Sequence, residues 1–407
     1  MPTSLSDPVS APTAPPTPAR TRLPLLVWML GAVTFVMGTT ELIVAGLLPQ
    51  VASSLQVSVA QAGLLITVFA LGMVIGTPLM SIATLRLPRR ATLICALLLF
   101  ALAHVVAAST DSFAVLLVTR VLAAVATGTF WAIGAVVAAD AAGPEAGARA
   151  MGIMVGGVTL ATVLGVPLGT AAGQALGWRG PFWVLSVLAM LCAALMWRVL
   201  PAGGRADGAA DLRAELGRLR NGRLWTVYAA TALVQASFVG VYSYIAPLLT
   251  ERAGLAAAVV PLVMIAYGVG ALLGTALGGR FGDRHAYGVL GLAVAGLVVV
   301  MAALLVWGAS GAAAVVLLTL MALLGFATNP VLVSEVLRSA GSEGILPMAL
   351  SNSSFNVGIA LGSALGGAAL GSGLAERGVP LVGLALALAA AIPCAVLVVT
   401  GLTPRRR

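Results

Sequence analysis

The sequence predicts an all-α, polytopic membrane protein: twelve transmembrane helices in two pseudo-symmetric six-helix bundles. Three observations carry this reading. The composition is apolar, twelve hydrophobic runs have bilayer length, and one half of the chain maps onto the other. Of 407 residues, 60% are hydrophobic and 9% charged, with a mean hydropathy of +1.08. Soluble domains carry about 25% charged residues. A chain this poor in polar groups cannot cover a water-facing surface, so the lipid bilayer is its first expected partner.

In chain order the spans are read at 25–48, 60–82, 91–108, 113–139, 149–174, 178–200, 224–249, 259–280, 287–309, 312–336, 345–372 and 378–402. Most lie near the roughly 20 residues needed to cross the hydrocarbon core. Residues 1–24 are expected to form a disordered cytoplasmic tail, rich in Pro, Ser, Thr and Ala. The tail does not read as a secretory signal, because the first apolar run follows it at full span length. Residues 201–223 form the one long polar break. They separate an N-terminal bundle (25–200) from a C-terminal bundle (224–402), and a basic tail, 403–407, closes the chain. Cys95, Cys192 and Cys394 sit singly in apolar runs and read as small apolar filler.

All 22 basic residues are arginine. Threading twelve spans from an inside N-terminus leaves 18 arginines inside, with only Arg179, Arg252 and Arg377 outside and Arg120 within a span. That asymmetry is the positive-inside signature. It predicts cytoplasmic termini in an inner (cytoplasmic) membrane. The net charge of +9 is therefore topology, and no nucleic-acid partner is expected.

The halves repeat at a nearly constant offset. A shift of 198 places Gly72, Gly76, Thr77, Leu79 and Arg86 on Gly270, Gly274, Thr275, Leu277 and Arg284, and Pro49 on Pro247. A shift of 197 places Met151, Gly165, Leu168 and Gly169 on Met348, Gly362, Leu365 and Gly366. Parallel six-helix repeats are a transporter architecture, with the substrate site at the repeat interface near the midplane. Channels and membrane enzymes also repeat. No nucleophile–base set, metal cluster or phosphate loop appears, and neither a cofactor nor a metal is expected.

Within the spans, a few residues stand out against the apolar background. Glu41 lies inside span one, about seven residues or roughly 10 Å from its expected outer end. An acid there is costly and marks a functional site by default. Arg120 lies at similar depth in span four and could pair with it. Burial disfavours the carboxylate and a nearby arginine favours it, a balance that suits a proton carrier; a static buried pair is the plainer alternative. The repeat mate of Glu41 is Val239, so the fold itself does not demand the acid. Thr39, Thr127, Trp131, Gln235, Phe238, Tyr242, Asn352 and Asn356 are candidate walls of a substrate cavity; the competing reading for each is an ordinary helix–helix contact.

Gly157, Ala161, Gly165, Gly169, Gly173 and Gly177 put small residues every four positions along span five. Such a row lets helix backbones approach closely, and Pro167 within it should bend the helix. Gly358, Gly362, Gly366 and Gly367 continue the theme in span eleven. After span eight, Gly278-Gly279-Arg280-Phe281-Gly282-Asp283-Arg284 reads as a loop whose Asp283 and Arg284 could clasp the inner face shut. The first half keeps Arg86, Arg89 and Arg90 but has Leu85 in place of the acid. His104 and His285 are assigned no role, and Asp140, Glu145, Arg149, Glu335, Arg338 and Glu343 lie at inner helix ends, where solvated pairing is expected.

Gly38-Thr39-Thr40-Glu41 followed by Gly46-Leu47-Leu48-Pro49 resembles the first helix of the drug:proton antiporter branch of the major facilitator superfamily. The span-five row with Gly165-Val166-Pro167-Leu168-Gly169, then Gly177-Trp178-Arg179 and Phe182, resembles the antiporter-signature helix of its chloramphenicol-resistance and sugar-efflux members. Arg120 through Gly128 resembles that family's fourth-helix arginine motif. Leu85 and the Gly-Val-Pro wording depart from the family pattern. The resemblance implies alternating access around a central cavity lined by helices 1, 4, 7 and 10, and proton-driven efflux by a monomer. The proton would be the coupling ion, and the expected substrate is a small neutral or amphipathic organic molecule. A phenicol-type antibiotic is the first candidate and a sugar or nucleoside the second. A transporter-like sensor without turnover is the alternative of another class.

Overall fold

The computed structural model describes residues 23–83, 87–143, 146–200, 217–340 and 345–402. The expected tails, most of the central loop, and the positions of Leu85, Arg86, Glu145 and Glu343 lie outside the described residues. The described chain is helical throughout. Span one runs Leu25–Leu55, span two Val59–Ala83, span three Arg89–Ser109 and span four Phe113–Ala142. Span five is composite: Gly147–Leu160, a wide π turn at Ala161–Gly165, and Val166–Leu176. Span six is Arg179–Val199. Span seven is Gly222–Tyr242, continued after a break by Ile245–Pro247 and a π turn at Leu248–Arg252. Spans ten, eleven and twelve are Gly311–Ala340, Ile345–Leu370 and Gly378–Leu402.

Two expectations need correction. Span one continues through Pro49 to Leu55 rather than stopping at Leu48. The segment from Gly278 to Arg284 is not a loop. It lies inside one helical run, Val260–Trp307, whose backbone leaves helical geometry at His285 (φ −135°, ψ 47°). A straight helix of 48 residues would be about 72 Å long, more than twice the hydrocarbon thickness. Spans eight and nine are therefore two crossings joined at a bend without a connecting loop.

Helix ends alternate between two faces. One, here the terminal face, carries Leu25, Ala83, Val199, Gly222, Ala340 and Leu402; the other is the distal face. Lipid supplies no hydrophobic drive between helices, so close packing depends on small residues. A Cβ on Gly157 would stand 2.3 Å from the carbonyl oxygen of Gly31, and one on Gly165 2.1 Å from the Thr39 hydroxyl. The span-five row thus lies on span one. The span-eleven row lies on span seven in the same manner: Cβ atoms on Gly358 and Gly362 would stand 2.3 and 2.2 Å from the carbonyls of Ala232 and Ala236. Just before Pro167, span five widens into a π turn in which the Val166 amide donates to the Ala161 carbonyl.

Contacts between the halves run from the distal face to the middle. Gln174 donates to the Ala257 carbonyl (2.7 Å), and Thr170 lies against the Met264 sulfur (3.4 Å). Thr67 and Ser363 share a 2.8 Å bond, and Ser353 reaches the Val74 carbonyl at 3.4 Å. Nearer the terminal face, Gly152, Val155 and Gly156 of span five are exposed.

The repeat mates Gly76 and Gly274 differ in what surrounds them. A Cβ on Gly274 would meet the Leu323 carbonyl oxygen at 2.1 Å, whereas one on Gly76 would stand 3.1 Å from a Val125 methyl and 3.3 Å from the Val125 Cα. Backbone cannot give way as a side chain can. Gly274→Ala is expected to cost about 1–3 kcal/mol, seen as a lower melting temperature in detergent. Gly76→Ala should be near neutral.

Candidate functional site

Thr40 and Glu41 are consecutive on span one, so their side chains diverge by about 100° around the helix. Thr40 points into the N-terminal bundle and is fully buried, while Glu41 is half-buried. Arg120 is 1% exposed, and each of its three guanidinium nitrogens donates one hydrogen bond. Nε donates to the Leu65 carbonyl (3.3 Å), Nη1 to the Thr40 hydroxyl (3.1 Å) and Nη2 to the Thr40 carbonyl (3.1 Å). Its carbon lies 4.3 Å from the centre of the Phe69 ring, a cation–π contact.

The network continues through a residue that sequence reasoning passed over. His104 Nδ1 lies 2.8 Å from the Phe100 carbonyl, and Nε2 lies 2.7 Å from the Thr40 hydroxyl. A carbonyl only accepts, so Nδ1 carries the proton and Nε2 accepts from Thr40. The Thr40 oxygen accepts in turn from Arg120. Spans one, three and four are thereby tied by one directed chain, from Arg120 through Thr40 and His104 to Phe100.

The expected Glu41–Arg120 ion pair is not formed. Arg120 turns its donors toward Thr40 and Leu65, and Glu41 has no hydrogen bond or ion pair among the described residues. The two charges remain close enough to interact electrostatically.

In the C-terminal half, the candidate wall residues separate into two groups. Phe238 and Tyr242 are fully buried and stack into an aromatic cluster with Tyr267 and Phe326, with ring centres 4.2 to 6.3 Å apart. They are core, not open wall. Thr39 and Thr127 are also buried and bond the carbonyls of Phe35 and Ala123 in their own helices. Trp131 is half-buried and Asn352 exposed. Gln235 donates to Asn329 Oδ1 at 2.7 Å, and Asn356 Nδ2 to the Asn352 carbonyl at 3.1 Å. Gln235 Oε1, Tyr242 Oη and Asn356 Oδ1 are buried without a partner. Asn329 was missed in the sequence, although an Asn-Pro pair within an apolar run was a visible signal.

The gating candidates are only partly brought together. Gly165 and Gly169 pack on span one at Thr39 and Ile43, and Pro167 follows the π turn. Asp283 and Arg284 are exposed and make no ion pair with each other; Arg86 lies outside the described residues. Glu335 is not a solvated end group. It is 1% exposed and held by Arg223 (2.9 Å), Arg338 (2.5 Å) and the Tyr287 hydroxyl (3.0 Å). Asp140, expected to pair at an inner helix end, does so with Arg89, a partner not named from the sequence.

Residues 30–344 match the family model of the Major Facilitator Superfamily. The chain belongs to this superfamily. It is a multi-pass membrane transporter of that fold, a class that is generally non-enzymatic. Among its relatives, a chloramphenicol resistance protein of Streptomyces lividans is 35% identical over 352 residues, covering 86% of this chain and 90% of that one. An inner membrane transport protein of Escherichia coli (strain K12) is 32% identical, covering 88% and 92%. A solved bacterial homologue of the human lysosomal transporter Spinster, inward-facing and unoccupied, superposes with a TM-score of 0.74 at 18% identity, covering 92% and 95%.

The Thr40 bridge in this facilitator can be tested directly. Thr40→Val leaves His104 Nε2 and one Arg120 donor without partners, at a cost of about 1–3 kcal/mol. The melting temperature should fall, and Thr40→Ser should restore it.

Proposed function

We propose that this facilitator is a proton-coupled exporter of a small neutral or amphipathic organic compound. The observation that carries the reading is Glu41: an acid within the membrane, half-buried and without an ion pair among the described residues, beside an arginine that turns three donors to Thr40 and Leu65 instead. A permanently paired carboxylate has little reason to take up a proton. An unpaired one next to a fixed positive charge is balanced between its neutral and ionised forms, as an exchange site must be.

The arginine bias makes the terminal face the cytoplasmic one. Substrate would enter from that side and displace a proton from Glu41. Reorientation would carry substrate out, and a proton from outside would reload the acid. Each net charge moved contributes about 2.3 kcal/mol per 100 mV of membrane potential, so one proton per cycle supports accumulation against a gradient. The Streptomyces relative favours a phenicol as substrate; a sugar or nucleoside is the second choice. The proton is the only coupling partner required, and a monomer suffices.

Proton release on adding chloramphenicol to purified protein in lightly buffered detergent tests the coupling. Release by wild type near neutral pH, abolished in Glu41→Gln, is expected. Equal release by the mutant would reduce Glu41 to a structural group.

A further inference from the structure

A cavity of about 260 Å³ lies between spans seven, ten and eleven of the C-terminal half, walled by Asn329, Ser351 and Asn352 together with Leu332, Met348 and Phe355. Its polar wall is made of two amides and the hydroxyls of Thr231 and Ser351, and among the described residues no charged side chain lines it. The nearest acid on span ten, Glu335, is neutralised in place by Arg223 and Arg338. Asn329 Oδ1 accepts from Gln235, and Asn329 Nδ2 makes no hydrogen bond among the described residues. The Asn352 carbonyl accepts from Asn356, and the Asn352 side-chain amide makes no hydrogen bond among the described residues.

One hydrogen bond behind this wall are two buried acceptors without donors, Gln235 Oε1 and Asn356 Oδ1. Gln235 is 0% and Asn356 2% exposed. Buried polar atoms are normally satisfied, so two separate pairs, Gln235 with Asn329 and Asn356 with Asn352, each hold unused hydrogen-bonding capacity beside the cavity. Amides both donate and accept, and so do hydroxyls. Leu332, Met348 and Phe355 supply an apolar surface that suits an aryl group better than a fully hydroxylated ring.

We propose that this cavity is a recognition site for a neutral aryl compound bearing neighbouring hydroxyl and amide groups, read by Asn329 and Asn352 with Gln235 and Asn356 behind them. The inference deepens the exporter reading by assigning substrate recognition to the C-terminal half, apart from the Glu41 and Arg120 region. It predicts that removing one ligand hydroxyl is felt at the asparagines and not at Glu41.

Two arylsulfonyl phenicols, thiamphenicol and florfenicol, differ only by a hydroxyl replaced with fluorine, and calorimetric titration of the full chain in detergent compares them. Wild type should bind thiamphenicol about five- to tenfold more tightly, the value of one neutral hydrogen bond. Asn329→Leu should erase the preference. Asn352→Ala, at an exposed position that does not endanger folding, should erase or halve it. Glu41→Gln should keep the preference while losing proton release. Binding of neither compound, equal binding by wild type, or a preference surviving in both asparagine variants overturns the proposal. A hydroxyl preference without proton release in wild type would leave the cavity standing and remove the exporter reading instead.

Discussion

The architecture depends on backbones approaching closely where lipid offers no reason for helices to associate. Span five rests on span one, and span eleven on span seven, along rows of glycine that place main-chain carbonyls where a methyl group would otherwise sit. Dispersion and weak polar contacts then act over the length of each seam. These seams make each half a rigid unit. Between the halves the character changes: hydroxyl pairs such as Thr67 with Ser363, and a thioether against Thr170, are contacts that can be exchanged at small cost.

On this shared scaffold the two halves carry different chemistry. The 198-residue offset sets Thr40 against Phe238, Glu41 against Val239 and Arg120 against Leu318. A charged, directed network in one half is thus replaced by aliphatic and aromatic packing in the other. The C-terminal half places its polarity elsewhere, in uncharged amides on spans seven, ten and eleven. A network that holds a fixed positive charge and a cavity that contains none can serve different partners without interfering electrostatically.

Much of this was legible from residue order. Hydrophobic run length, arginine placement and the repeat offset define the fold, because bilayer thickness leaves few alternatives. Glu41, Arg120 and Asn352 stood out as polar groups in apolar runs. What sequence could not supply was orientation around the helix axis. Thr127, Phe238 and Tyr242 share their helices with exposed positions but face inward. His104 looked idle because its partner lies on another span. Asn329 was within reach, since it is the repeat mate of Trp131. Glu335 resembled a solvated end group only because Arg223 is 112 residues away in sequence.

The missing loop between spans eight and nine has a mechanical consequence. An ordinary connection contains slack, so one helix can shift while its neighbour stays. Val260–Trp307 is continuous apart from the single bend at His285. It behaves as a crank: displacement of the distal end of span eight, where Met264 meets Thr170, is carried around the bend into Tyr287. Tyr287 is bonded to Glu335, and Glu335 to Arg223 at the start of span seven. Strain imposed at one face of the membrane therefore has a stiff lever to the base of the helix that bears Gln235.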